Sequence, residues 1–246
     1  MAEKGKQEMS LRVSEIRDET PDTKMFRLAL GDHPPLQFKP GQFVILKTEL
    51  WNPSKNRNMR VNRAFSIASS PMEKSFIDLA IKRYPGGRMT PWLHDKVRVG
   101  DRVRVTGPQG KFILDGEDAG KFFFIAGGVG IAPLRSMIRY LIDIKSPSKI
   151  RLFYSARTPL DFAFKAEFDQ QAGNHPDMQC FYTVTRPGKE PWTGMTGRFG
   201  EDYFKSRIDT DAKGVFICGP PSMVKDGMNS LRKIGIPEGS LHSEMW

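Results

Sequence analysis

The chain has 246 residues, and its 38 Lys and Arg against 28 Asp and Glu give a formal net charge of +10. That length suits two domains of about 100–150 residues each. A hydrophobic content of 39% with 27% charged residues excludes a disordered chain, and no run approaches the roughly 18 apolar residues of a membrane helix. The polar N-terminal segment lacks the apolar core of a secretion signal, so we expect a cytoplasmic protein without a membrane span.

Neither a metal site nor a nucleic-acid site is indicated. Cys180 and Cys218 are the only cysteines, too few for a disulfide framework or a four-thiolate iron–sulfur cluster, and the four histidines are scattered without metal-ligand spacing. The basic residues are spread along the chain without an arginine-rich tract, so we expect no nucleic-acid partner. A polyanionic cofactor or an acidic protein partner accounts for the positive charge instead.

The first part of the chain has the pattern of an antiparallel barrel. Short segments alternate apolar and polar residues, and turns rich in Gly and Pro separate them. These segments are residues 11–16, 24–30, 42–47, 76–81 and 102–105.

The pattern changes near residue 112. Continuous apolar runs are typical of strands buried on both faces of a parallel sheet, and they occur at residues 122–126, 152–154, 180–184 and 215–218. Two helical patterns lie between such runs or after them. One follows Pro221, and the other carries Leu134, Met137, Ile138, Leu141 and Ile142. We therefore predict a β-barrel at residues 1–112 and a doubly wound α/β domain at residues 113–246, with a linker at about residues 106–121.

A glycine-rich segment, Gly127-Gly128-Val129-Gly130, joins the first buried strand of the second domain to its first helix. Glycines there let the backbone approach a phosphate closely, and the helix N-terminus offers unbonded N–H groups. The spacing is not that of the usual dinucleotide fingerprint. On local evidence alone, a tight strand–helix turn explains the segment equally well.

A second glycine-containing segment, Gly87-Arg88-Met89-Thr90, precedes a predicted short helix. Thr90 suits the N-cap of that helix, and Pro91 suits its first position. The same dipole argument would allow a phosphate site, although an ordinary capped helix is the simpler explanation.

A predicted strand upstream of that helix carries Arg63-Ala64-Phe65-Ser66. Strand alternation puts the arginine and the phenylalanine on one face, and the alanine and the serine on the other. By itself this is the pattern of any half-exposed strand.

Taken together and in this order, these segments resemble the motifs of the ferredoxin–NADP reductase superfamily over nearly the whole chain. Residues 63–66 are similar to its Arg-x-Tyr-Ser flavin motif, and residues 87–90 to its flavin-phosphate motif. Residues 107–112 (Gly-Pro-Gln-Gly-Lys-Phe) resemble the segment that closes the barrel. Residues 127–133 resemble the nucleotide loop, and residues 218–224 resemble the Cys-Gly-Pro-Pro-x-Met motif near the nicotinamide.

The resemblance implies a barrel that binds FAD, in preference to FMN, and an α/β domain that binds NADPH, with NADH as the alternative. The implied flavin-binding residues are Arg63, Ala64, Phe65, Ser66, Ile81, Lys82, Gly87, Arg88, Met89, Thr90 and Trp246. The implied nucleotide-binding residues are Gly127, Gly128, Val129, Gly130, Pro133, Arg157, Thr185, Arg186, Arg198, Cys218, Gly219, Pro220 and Met223.

Three arginines favour NADPH over NADH. Arg157, Arg186 and Arg198 follow or end predicted strands, and they match positions where bacterial members of the superfamily hold the 2′-phosphate. Ligands bind at the carboxyl ends of parallel strands, and a guanidinium is well shaped for a phosphate. Any one of the three, taken alone, could be a solvated surface residue.

The resemblance also implies hydride transfer between nicotinamide and flavin, and single-electron transfer to or from an acidic carrier such as ferredoxin or flavodoxin, by a monomer. Ser66 would hydrogen-bond near the reacting flavin nitrogen, and Cys218 would pack against the reacting nicotinamide carbon. Glu244 would complete a hydrogen-bond chain, and Trp246 would cover the flavin or its adenine. The alternatives are a packing role for Cys218 and a disordered tail.

The sequence departs from the superfamily pattern at two places. Phe65 stands where tyrosine is usual, and the loss of the phenolic hydrogen bond predicts weaker flavin binding. Residues 49–62 are longer than a minimal hairpin, and Lys55, Arg57 and Arg60 would meet an acidic partner at the barrel rim. A reductase of free flavin or small quinones, and a flavoprotein subunit of a larger electron-transfer complex, are the alternative functions.

Overall fold

The computed structural model describes residues 7–116 and 119–245. Contacts divide the chain into two compact units: Met1–Asp115 with Arg135–Tyr140, and Gly116–Leu134 with Leu141–Trp246. Trp246, which we predicted to cover the flavin, lies outside the described residues. Within the described part of the chain, no helix is both long enough and apolar enough to cross a membrane.

The first unit contains a six-stranded antiparallel sheet in the order β4-β3-β6-β1-β2-β5. A bridge between Ile67 and Leu79 joins the two edge strands at one end, as the predicted barrel requires. The strands are β1 (Gln7–Thr20), β2 (Thr23–Ala29), β3 (Phe43–Asn52), β4 (Arg57–Ser66), β5 (Phe76–Lys82) and β6 (Arg102–Gln109).

Alternation along these strands builds the barrel core. In β1, Met9, Leu11 and Val13 are buried while the residues between them are partly or fully exposed, because successive side chains of a strand point to opposite faces. Strand β6 continues to Gln109, which pairs with Phe43. The linker therefore starts later than the predicted residue 106.

The short helix α1 (Met89–Asp95) begins two residues earlier than the sequence predicts. Arg88 is the N-cap residue, without a side-chain capping bond, so the prediction of Thr90 as the N-cap is wrong. The Thr90 hydroxyl instead accepts a hydrogen bond from the Tyr84 backbone N–H at 2.9 Å. Thr90 therefore ties the preceding turn to the helix rather than capping it.

The second unit is a six-stranded parallel sheet in the order β10-β9-β8-β7-β11-β12, with helices in its connections. This order confirms the predicted doubly wound fold. The strands are β7 (Lys121–Gly127), β8 (Lys149–Ala156), β9 (Met178–Val184), β10 (Met195–Thr196), β11 (Gly214–Gly219) and β12 (Leu241–Met245). The helices are α2 (Ile131–Asp143), α3 (Lys165–Asn174), α4 (Glu201–Lys205) and α5 (Pro221–Lys233).

The two predicted helical patterns match α2 and α5. Leu134, Met137, Ile138 and Leu141 of α2 are almost fully buried, whereas the last predicted apolar residue, Ile142, is half-buried. Val224, Met228 and Leu231 of α5 pack in a core cluster with Phe123, Ile125, Val215 and Ile217 of the sheet. The strands β7 and β11 are thus fixed at the centre of the second unit.

Candidate functional site

The second unit carries its predicted nucleotide residues at the carboxyl ends of its parallel strands, which we call the nucleotide edge. The chain winds outward from β7 through β8, β9 and β10, and then returns to the other side of β7 to form β11 and β12. The carboxyl ends of β7 and β11 therefore flank the point where the winding direction reverses, which is where open α/β sheets bind ligands.

Glycines, which have no side chain, allow the backbones at this edge to pack closely. A Cβ atom on Gly130 would lie 2.3 Å from the Cys218 carbonyl oxygen, and one on Gly127 would lie 2.4 Å from Met223 Sδ. A Cβ on Gly219 would lie 2.8 Å from Met223 Cε and 3.1 Å from Gly127 Cα. The structure thus brings the predicted glycine loop together with the predicted residues at the end of β11 and just after it in one packed layer, in which glycine is required for steric reasons.

A buried tyrosine, which the sequence analysis did not single out, also contacts the glycine loop. The Tyr154 hydroxyl donates to the Gly128 carbonyl at 3.2 Å and accepts from the Ala163 backbone N–H at 3.1 Å. Tyr154 lies in an apolar run that indicates only a buried strand. The signal in the sequence was a tyrosine, with its polar hydroxyl, within an otherwise apolar run where phenylalanine would fill the same space.

Cys218 and Glu244 lie opposite one another on the neighbouring parallel strands β11 and β12. Burial raises the pKa of the Cys218 thiol, and the nearby Glu244 charge raises it further, so the thiol stays protonated. Burial also raises the pKa of Glu244 to about 7. This edge therefore holds a neutral thiol beside a carboxyl that changes charge near neutral pH.

The three arginines of the predicted 2′-phosphate site lie beyond strand ends and are exposed. Arg157 follows β8, and Arg186 follows β9, with the Arg186 backbone N–H bonded to the Arg157 carbonyl at 2.7 Å. Thr185 precedes Arg186, and its hydroxyl donates to the Ala156 carbonyl at 3.3 Å. The structure thus brings Arg157 and Arg186 together.

Arg198 differs from the other two arginines because its guanidinium already has partners on helix α5. It forms an ion pair with Asp226 and a 3.4 Å hydrogen bond to the Ser222 hydroxyl. Pro133, also predicted to bind nucleotide, is buried in the first turn of α2.

The predicted flavin motif of the first unit ends strand β4. Arg63 and Ala64 are exposed, while Phe65 packs against the barrel core and Ser66 pairs with Phe43 of β3. The Arg63 guanidinium donates only to the neighbouring Asn62 carbonyl, at 2.8 Å, among the contacts of the described residues. Its charge is therefore available to an anionic ligand.

Arg88, at the start of helix α1, binds the strand next to that motif. Its guanidinium donates to the Leu50 and Trp51 carbonyls at 2.9 and 3.1 Å. Met89 is buried, whereas Gly87 is exposed. This helix has only seven residues, so the proposal of a phosphate at its start depends on the motif rather than on a helix dipole.

The two remaining predicted flavin residues end strand β5. Ile81 is buried, and its carbonyl bonds to His94 Nε2 at 2.8 Å. The Lys82 ammonium forms an ion pair with Asp22. These side chains therefore have structural partners in the barrel.

The hairpin formed by β3 and β4 extends well beyond the barrel. Its strands pair without interruption from Phe43–Ser66 to Asn52–Arg57, which confirms that residues 49–62 are longer than a minimal hairpin. Trp51 is 56% exposed, and Lys55, Arg57 and Arg60 are exposed. No group of three or more metal-ligating side chains occurs in residues 7–116 or 119–245.

Both units match known domain families. Residues 10–113 match the oxidoreductase FAD-binding domain, and residues 124–228 match the oxidoreductase NAD-binding domain. The chain is similar to the glycine betaine monooxygenase reductase subunit of Chromohalobacter salexigens, with 32% identity over 239 residues that cover 96% of this chain and 63% of that protein. It spans 63% to 65% of the length of the first three curated relatives that it matches.

Two further similarities cover more of the matching protein. NADH-cytochrome b5 reductase 1 of Dictyostelium discoideum is 31% identical over an alignment of 255 residues, gaps included, that covers 98% of this chain and 86% of that protein. The crystal structure of the Amycolatopsis cytochrome P450 reductase GcoB superposes with a TM-score of 0.84 at 27% identity, covering 98% of this chain and 70% of that one. With its FAD-binding and NAD-binding domains, the chain belongs to the ferredoxin reductase-like family of oxidoreductases.

Proposed function

We propose that the protein transfers hydride from a nicotinamide nucleotide to FAD and passes the electrons singly to an acidic protein carrier. One observation carries this proposal. The glycine loop that begins at the end of β7 and the Cys218-Gly219-Pro220 segment at the end of β11 pack against each other at the winding reversal of a parallel sheet. This layer consists of backbone groups and a buried thiol, with little side-chain bulk, where a dinucleotide would bind.

The first unit has side chains that fit FAD. Arg63 offers a cation without an acidic partner among the described residues, and Gly86 and Gly87 leave backbone near Arg88 exposed. A guanidinium without an acidic partner suits a diphosphate. FAD held there would supply hydride acceptance and single-electron release, while the protein binds it and orients its partner.

Three residues are proposed to act at the reacting atoms. Ser66 donates a hydrogen bond beside the reacting flavin nitrogen, and Cys218 orients the nicotinamide ring as a small neutral thiol. Glu244, with its pKa near 7, supplies or accepts a proton during the reaction. Cys218 and Glu244 are neighbours across β11 and β12, which supports their acting together.

We further propose that NADPH is preferred over NADH, because Arg157 and Arg186 lie together at adjacent strand ends. Arg157→Ala and Arg186→Ala should each raise the KM for NADPH by about 10- to 100-fold, the effect of losing one charge-assisted contact. The KM for NADH should hardly change. Arg198→Ala serves as the comparison, with a smaller loss because Asp226 already neutralises that guanidinium. Equal losses with both nucleotides would refute the 2′-phosphate assignment.

The proposed carrier is a ferredoxin or flavodoxin-like protein that meets the basic hairpin formed by β3 and β4. Support comes from the exposed Lys55, Arg57 and Arg60 and from the net charge of +10. We also propose a monomer in the reducing cytoplasm, in keeping with two cysteines that are both unpaired.

A second function is favoured by the relatives. The Chromohalobacter protein is named as the reductase subunit of a monooxygenase, so this chain would serve as the flavoprotein subunit of a larger electron-transfer system. A reductase of free flavin or quinone is a further alternative.

Purification and turnover assays test these functions. The protein should carry about one FAD per chain and should reduce ferricyanide with NADPH. A subunit that depends on its partner would bind FAD but turn over only when the partner is added. A folded protein that binds neither added FAD nor added FMN would refute the proposal.

A further inference from the structure

We propose that Tyr154 is a positioning residue for the glycine loop, and that its hydroxyl sets the backbone orientation in which the loop receives the nucleotide. The inference rests on the proposed function and deepens it. Tyr154 is fully buried on β8, beside Ala126 of β7 on one side and Tyr182 of β9 on the other. Because it is buried, its side chain cannot contact a ligand that binds from solvent. It acts through the backbone groups to which it is hydrogen-bonded.

The hydroxyl holds a specific peptide of the loop. It donates to the Gly128 carbonyl at 3.2 Å, an oxygen that also accepts from the Ile131 backbone N–H. Gly128 has a φ of 54°, in the left-handed region that glycine tolerates. A peptide group is planar and trans, so its N–H points away from its carbonyl. With the Gly128 carbonyl turned toward Tyr154, the Val129 N–H points the other way. A reversed peptide would present a carbonyl oxygen, which repels phosphate.

The direction of the hydroxyl hydrogen is itself fixed. The Ala163 backbone N–H donates to the Tyr154 oxygen at 3.1 Å, so the hydroxyl hydrogen is left for Gly128. The next residue, Phe164, is 4% exposed and has a φ of 60°. A bulky residue adopts that conformation only where surrounding packing imposes it. The packed segment thus presents the Ala163 N–H as a fixed donor.

Packing alone does not account for a tyrosine at this position. The Phe162 ring contacts the Tyr154 ring edge-on, with centroids 5.0 Å apart, and phenylalanine would make the same contact. Burying a hydroxyl costs free energy unless it is hydrogen-bonded. Here its bonds to Gly128 and Ala163 connect the nucleotide loop to the segment before α3.

The test compares Tyr154→Phe with Tyr182→Phe, its neighbour on the same rung. Both substitutions remove one phenol hydroxyl, and Tyr182 donates to Asp169 of α3 at 2.7 Å rather than to the loop. Tyr154→Phe should raise the KM and the dissociation constant for NADPH about 3- to 10-fold, the effect of one lost hydrogen bond. The kcat at saturation and the FAD content should stay near wild type. Tyr182→Phe should leave nucleotide affinity unchanged.

Two further readouts separate positioning from general stability. Hydrogen exchange at residues 127–131 should speed up in Tyr154→Phe, while exchange in the second half of α2 stays at the wild-type rate. A lower Tm with unchanged nucleotide affinity, or an equal affinity loss in both variants, would overturn the inference. Wild-type protein that binds FAD but neither nucleotide would instead overturn the proposed function itself.

Discussion

The nucleotide edge of the second unit and strand β4 of the first unit prepare for their ligands in different ways. At the nucleotide edge, Gly127, Gly130 and Gly219 let backbones and Met223 pack within about van der Waals contact, and the layer is mostly buried. On β4, the proposed ligand-binding groups are exposed side chains such as Arg63, carried by an intact antiparallel ladder. The proposed function would therefore depend on backbone shape in one region and on side-chain chemistry in the other.

This difference predicts how substitutions in the two regions will fail. A change at the nucleotide edge should displace the backbone and cost both activity and stability. A change on β4 should remove a ligand contact and leave the fold intact.

The largest effect is expected for Gly130→Ala. Its new Cβ would lie 2.3 Å from the Cys218 carbonyl oxygen and 2.9 Å from the Gly219 nitrogen, so the backbone must move. A displacement of about 1 Å can cost on the order of 100-fold in rate, and overpacking costs about 1–3 kcal/mol of stability. We expect flavin reduction by NADPH to fall by about that factor, and the Tm to fall as well.

Gly173→Ala is the matched control for Gly130→Ala. Gly173 lies in helix α3, and a Cβ there would meet nothing within 4 Å. Alanine is the better helix former by roughly 1 kcal/mol, so the control should be as stable as wild type or more stable, and fully active. A Gly130→Ala protein with normal hydride transfer would show that the close backbone approach is not part of the site.

The next effect is expected for Arg63→Ala on β4. Losing one charge-assisted contact should weaken FAD binding by about 10- to 100-fold, measured by titrating the apoprotein with FAD. The Tm of the apoprotein should not change, because Arg63 bonds only to its neighbour's carbonyl among the described residues. Arg60→Ala, three residues earlier on the same strand, is the control and should keep wild-type FAD affinity. A large fall in apoprotein Tm would contradict the contrast.

The contrast also explains what the sequence could and could not predict. Strand and helix patterns predicted both units because burial alternates in β1 and is continuous in β7 and β11. The Thr90 cap was wrong because its hydroxyl bonds the Tyr84 N–H of the preceding turn, a contact that propensity does not encode.

Two features of the site could not be read from sequence patterns for related reasons. The ion pair of Arg198 with Asp226 joins residues 28 positions apart, and the bond of Tyr154 to Gly128 spans 26 positions. Both depend on which strand ends meet, which is a property of the topology. The glycines of the loop, in contrast, could be singled out from the sequence because the steric requirement acts on those residues themselves.

A smaller effect at the nucleotide edge is the pH dependence that Glu244 should impose on the rate of flavin reduction. Burial raises its pKa to about 7, so the carboxyl is protonated below that pH and ionised above it. If the protonated form is the active one, flavin reduction should fall about tenfold between pH 6 and pH 8, as the protonated fraction does. Glu244→Gln should remove that slope, and the exposed Glu190→Gln should keep it. A slope that survives in Glu244→Gln would belong to another group.

The smallest effect is expected at the tip of the hairpin formed by β3 and β4, where charge acts on encounter rather than on the bound state. Lys55, Arg57 and Arg60 are exposed, and among the described residues only Arg60 has a carboxylate partner, Glu49, at 3.6 Å. Replacing all three with Gln should slow reduction of an acidic [2Fe–2S] ferredoxin a few-fold at low salt and flatten its salt dependence.

Replacing Lys149, Lys205 and Lys225 with Gln removes the same charge from the second unit and is the control. Both proteins should reduce ferricyanide alike at high salt, where screening hides the charge change. If the two triple variants slow ferredoxin reduction equally, net charge rather than the hairpin steers the partner, and the exposed side chains of the first unit would matter for the flavin alone.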